Sequence, residues 1–169
     1  MRKFYIFLIT VFITISSFGQ TEPWFSEINY LGGLGFFEIS GLDGTNLDNY
    51  KVTVYNKQGT LSQSIPLSGF IPTAGSSFGA VSFPITVSSP EQKFIVFEKV
   101  SPSVILNLIT IGDRTKLSGS ITHNGINYGL AIFTDAGIDN ATASSSLQYT
   151  TDSGWTGTPI VPSTPGVLN

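Results

Sequence analysis

The stretch SEINYLGGLGFFEISG, residues 26–41, decides the fold. Two short runs of β-branched and aromatic residues flank Gly32-Gly33, which is the pattern of a β-hairpin. A two-residue turn at the glycines sets Glu27 opposite Glu38 and Ile28 opposite Phe37. Ile28, Tyr30, Phe37 and Ile39 then share the face meant for a core, while Glu27 and Glu38 share the other. Directly opposed residues hold their Cβ atoms about 4.5–5.5 Å apart. Like charges repel there, so an ordinary hairpin gains nothing from the pairing.

The pair has three readings. Two carboxyl groups about 5–5.5 Å apart suit a retaining glycosidase, but the flanking sequence supplies no walls for a cleft. Calcium uses the same oxygens but takes about six or more of them, with Asn29 the only obvious addition. The third is a solvated or lysine-neutralised sheet face. That is the expectation, with Glu27 and Glu38 kept as candidate calcium ligands.

The same alternation of strand-like runs and turn residues recurs outward from the hairpin. Strands are expected near 24–30, 35–40, 50–56, 60–65, 80–86, 93–99, 103–111, 116–122, 127–133 and 145–150. In YKVTVYN (50–56), Tyr50, Val52, Val54 and Asn56 share one face; Lys51, Thr53 and Tyr55 share the other, which reads as wet. KFIVFEK and SVILNLITI are more continuously apolar, as central strands covered on both faces are. Asn124-Gly125 is the preferred dipeptide of a type I′ turn. No amphipathic helix with caps at both ends follows residue 20. The chain reads as one all-β domain, a sandwich, over residues 22–169.

Residues 1–19 are set apart. Arg2 and Lys3 precede an apolar run from Phe4 to Ile15, and Ser17-Phe18-Gly19 places small residues where a signal peptidase cuts. The run is short of the ~20 residues of a membrane span, so cleavage and export are expected, to the periplasm, cell surface or exterior, with no span remaining. Losing Arg2 and Lys3 takes the eight basic residues to six against eleven acidic, a net charge of −5. Nucleic acid is disfavoured as a partner, because that affinity comes mostly from neutralising phosphates. Zero cysteine excludes a disulfide framework, a thiolate nucleophile and a Cys-ligated metal.

Other chemistry is sparse. Asp43, Asn46 and Asp48, with Gly44, resemble part of a calcium loop, without its terminal glutamate or full spacing. They are candidate metal ligands, although Asp-Gly and Asp-Asn also make ordinary turns. His123 is the only histidine, expected at a hairpin tip away from any group that could orient it, and there is no G-x-S-x-G elbow. A catalytic triad is therefore not expected. Asn140-Ala141-Thr142 fits a glycosylation sequon, but the bacterial style of the leader gives it no weight. Trp24 and Trp155, with Tyr30, Tyr50, Tyr55, Tyr128 and Tyr149, suit either packing or stacking on sugars.

SEINY, then FFEISGLDGTNLDNYKVTVYN, then LSGFIP (67–72), SLQ (146–148), GW (154–155) and TPGVLN (164–169) occur in an order that resembles secreted bacterial lamin-tail domains. The resemblance covers both ends of the exported chain. It implies an immunoglobulin-like β-sandwich without catalytic residues or cofactor, accompanying other secreted proteins as a binding or tethering module. The functional expectation is an exported non-catalytic domain that binds a protein or glycan at the cell surface. The alternatives are a carbohydrate-binding module or carbohydrate-active hydrolase, and a calcium-dependent adhesion domain.

Overall fold

A computed structural model describes residues 22–30, 35–72, 77–85, 93–138, 146–150, 154–157 and 163–167. The leader, the Gly32-Gly33 turn and the sequon lie outside the described residues. Among those residues no helix is long and apolar enough to cross a membrane.

The chain is all-β, as its pattern predicts. Its strands are β1 (Trp24–Asn29), β2 (Phe36–Leu42), β3 (Tyr50–Tyr55), β4 (Leu61–Pro66), β5 (Phe78–Pro84), β6 (Lys93–Lys99), β7 (Val104–Ile111), β8 (Ser120–His123), β9 (Ile126–Gly129), β10 (Thr134–Gly137), β11 (Leu147–Thr150) and β12 (Gly154–Trp155). One five-stranded sheet runs β12-β11-β1-β2-β5 and a second β10-β7-β6-β3-β4. The two enclose a core of Phe25, Ile28, Phe37, Ile39, Val52, Val54, Ile95, Phe97 and Ile109, among others. The face assigned to Ile28, Tyr30, Phe37 and Ile39 is buried as expected.

The register of the first hairpin is also as read: Glu27 opposes Glu38, and Ile28 opposes Phe37. A bulge then shifts the pairing between Phe25 and Glu27. Strict alternation would turn Phe25 outward with Glu27; the extra residue, Ser26, lets Phe25 enter the core while Glu27 stays on the opposite face. Phe25 N–H, beside the irregular ladder, donates across the sandwich to Asn107 Oδ1 at 3.4 Å.

A smaller layer lies outside the second sheet. The β8–β9 hairpin closes through Asn124 at φ 49° and Gly125 at φ 77°, the two positive values of a type I′ turn. Beneath it sits a separate cluster of Tyr55, Phe94, Val96, Ile121 and Phe133. The outer face of β3 is therefore not wet as expected: Thr53 and Tyr55 are buried, and only Lys51 on that face is half-exposed. β6 is covered on both sides, as expected of a central strand, but β7, read the same way, is buried only over its last three residues, with Val104 exposed. The segment expected as a strand over 127–133 is β9 followed by a 3-10 turn, Leu130–Ile132. β10, which the alternation did not show, runs parallel to β7 at the sheet edge. There Gly137 sits at φ 104°, with a Cβ at that position falling 2.3 Å from the Gly157 carbonyl oxygen, so only glycine admits the approach of the two backbones.

Candidate functional site

Among the described residues, three places bring chemically competent side chains together. The first is the carboxylate pair. Glu27 and Glu38 are both fully buried, which overturns the solvated face. Their cover is the C-terminal segment 163–167. Glu27 Oε1 accepts from Ser163 Oγ at 2.8 Å, from Thr164 N–H at 3.0 Å and from Ser146 Oγ at 2.5 Å, and Oε2 accepts from Thr164 Oγ1 at 2.9 Å. Glu38 Oε1 accepts from Ser26 Oγ at 2.6 Å, and Oε2 from Gly166 N–H at 2.6 Å. Ser40 Oγ in turn donates to Ser26 Oγ at 2.7 Å. Hydroxyls and backbone amides donate to these oxygens. Burial pushes the Glu38 carboxyl up to about 7, with the Glu27 charge adding to the rise and the Ser26 and Gly166 bonds opposing it. The pair works as an internal clasp, with its oxygens taken up by the chain's own donors.

The second place surrounds His123. Far from lacking an orienting scaffold, the imidazole is buried against the second sheet. Nδ1 lies 2.6 Å from the Tyr55 hydroxyl, and Nε2 lies 2.8 Å from Glu98 Oε1, close but without the alignment of a hydrogen bond. Lys51 Nζ reaches the same oxygen at 3.1 Å, and Asn124 Nδ2 donates to Glu98 Oε2 at 2.9 Å. Burial, reinforced by the Glu98 charge, raises the Tyr55 phenol above its ordinary range. The cluster pins the tip of the β8–β9 hairpin while the apolar residues below hold its base. Tyr55→Phe, which strips His123 Nδ1 of its partner at unchanged shape, should lower stability by about 1–2 kcal/mol in urea titration.

The third is a groove of about 280 Å³ where the two sheets part, beside the bulge. Phe25 and Ile109 line it from the core, Asn107 and Thr134 add polar groups, and Trp24, Tyr149, Gly154 and Trp155 complete the described rim. Tyr149 and Trp155, cross-strand neighbours on β11 and β12, stand edge to face with centroids 5.8 Å apart. The Trp24 ring packs edge-on against Phe78 at 5.9 Å. Tyr30, Tyr50 and Tyr55 are buried and Tyr128 packs on the outer cluster, so of the candidate aromatics Trp24, Tyr149 and Trp155 meet at this cleft.

The candidate calcium loop holds itself together. Asn46 Oδ1 accepts from Asp48 N–H at 2.8 Å, and Asp48 Oδ1 accepts from Gly69 N–H at 3.0 Å. Asp43 N–H donates to the Ser77 carbonyl at 3.1 Å. Among the described residues, no group of three or more His, Cys, Asp or Glu side chains is placed to hold a metal. Sequence reasoning missed the groove because Asn107 and Thr134 lie on strands whose pairing it could not assign. It missed the Glu98–His123–Tyr55 cluster because those residues meet only when the hairpin folds back. No family model, curated protein or solved structure matches the chain.

Proposed function

We propose that the chain is an exported, non-catalytic binding domain that takes its ligand in the groove between the sheets and acts at the cell surface or outside the cell. One observation carries this reading. The groups best suited to acid–base chemistry, Glu27, Glu38, Glu98 and His123, are sealed beneath the chain's own segments, whereas the described residues that line the groove are uncharged. A concavity with apolar walls and a few convergent polar groups is the usual form of a ligand site. The leader pattern supports export. The resemblance of both chain ends to lamin-tail domains supports an immunoglobulin-like module that tethers or binds.

Retention of the purified protein on cell-envelope and extracellular-matrix fractions tests it, with Trp155→Ala as the comparison. Retention lost in the variant at unchanged fold is the expected outcome. Hydrolysis of a glycan that disappears in Glu27→Gln or Glu38→Gln overturns the reading in favour of an enzyme. Calcium and EDTA should both leave the melting temperature in place, since a ligand of the folded state stabilises it by mass action.

A further inference from the structure

We infer that the groove beside Trp155 is a subsite for an uncharged sugar ring, with Asn107 as its specificity-determining residue; this rests on the groove being the ligand site. The argument starts from what surrounds the space. No charged side chain is among its described lining residues, so those residues offer an entering carboxylate, phosphate or ammonium no counter-charge for the water it would lose. Its volume of about 280 Å³ lies at the small end of ligand pockets, which run about 300–1,000 Å³. That suits a single ring or chain end, not a long apolar tail. The convergent rim also argues against the flat face of an ordered polysaccharide.

The polar groups narrow the class further. Asn107 turns Oδ1 to Phe25 N–H at 3.4 Å, a long bond that favours one amide orientation and leaves its Nδ2 hydrogens as donors with no partner among the described residues. Thr134, exposed at the start of β10, offers a hydroxyl that donates and accepts. Phe25, Ile109, Tyr149 and Trp155 give apolar and aromatic surface on the remaining sides. A sugar ring has this same division, with an apolar C–H face and a rim of hydroxyls. The C–H face meets Tyr149 and Trp155, and a ring hydroxyl accepts from Asn107 Nδ2.

Asn107→Asp is the decisive variant. It keeps an oxygen for Phe25 N–H and changes no volume, but replaces the amide donors by a charged acceptor. Tryptophan fluorescence and calorimetric titrations would compare neutral gluco-, manno- and xylo-oligosaccharides with oligogalacturonates. The expected result is saturable binding of at least one neutral series, weakened tenfold or more by Asn107→Asp and by Trp155→Ala, with oligogalacturonates inert. Melting curves check each variant, and if Trp155→Ala does not fold, Asn107→Asp decides alone. Equal or tighter binding of the acidic series, or neutral binding untouched by Asn107→Asp, overturns the assignment. If no oligosaccharide binds while retention on envelope or matrix still depends on Trp155, the sugar class is wrong and the groove reading survives. If retention is also indifferent to Trp155, both fall.

Discussion

Glu27→Ala is expected to cost about 3–5 kcal/mol in urea denaturation, a large share of the roughly 5–15 kcal/mol that holds a domain folded. The side chain is not a surface charge. Four donors converge on it: Ser146 Oγ, Ser163 Oγ, and both N–H and Oγ1 of Thr164. Alanine would leave these donors without an acceptor, in a space too closely covered for each to regain water on equal terms. Buried donors stripped of a partner cost about 1–3 kcal/mol apiece, and partial opening of segment 163–167 limits the total. A loss below about 1 kcal/mol would show that the segment is a surface ornament.

The second large effect is a dependence of stability on pH. Glu38 has a folded pKa raised from 4.5 to about 7, so the folded chain holds a proton that the unfolded chain has released. The associated stability is fully present below pH 4.5 and is lost as the pH rises through about 7. At about 1.4 kcal/mol per unit the swing is at most about 3 kcal/mol, downward from acid to neutral. Glu38→Gln should flatten that part of the profile, since a neutral amide has nothing to titrate. The midpoint of urea unfolding, followed from pH 4.5 to 8, checks both. A wild-type midpoint that climbs across this range would mean that the Glu38 carboxyl is not held up by burial.

Period-two alternation made the hairpin register, the type I′ turn and the inward face of Ile28, Phe37 and Ile39 legible. It could not show Ser26 as a bulge. The residue is an unremarkable serine, and its effect is visible only as Phe25 appearing on the wrong side of the count. The covers were equally hidden. A glutamate on an outward face looks solvated until one knows that Ser163, Thr164 and Gly166 return from more than a hundred residues away. His123 looked stranded for the same reason, because Glu98 and Tyr55 come from strands with no sequence proximity to it. Local chemistry reveals strands and turns; contacts closed by long loops carry no local signal. The groove belongs to the second kind, as five strands, one of them bulged between Phe25 and Glu27, must be placed before it exists.

The clasp on Glu27 has a consequence for synthesis. The first hairpin, and so both buried carboxyl groups, is synthesised well before the segment that covers it. Thr164, which supplies two of the bonds to Glu27, lies 137 residues later. Until residues 163–166 are available, Glu27 lacks its bonds from Ser163 and Thr164, and Glu38 its bond from Gly166. The outer face of the first hairpin is therefore sealed only when a segment made 137 residues after Glu27 returns to it. A chain cut before residue 163 loses three of the four donors to Glu27 and is expected to be cleaved by proteases more readily than the full chain.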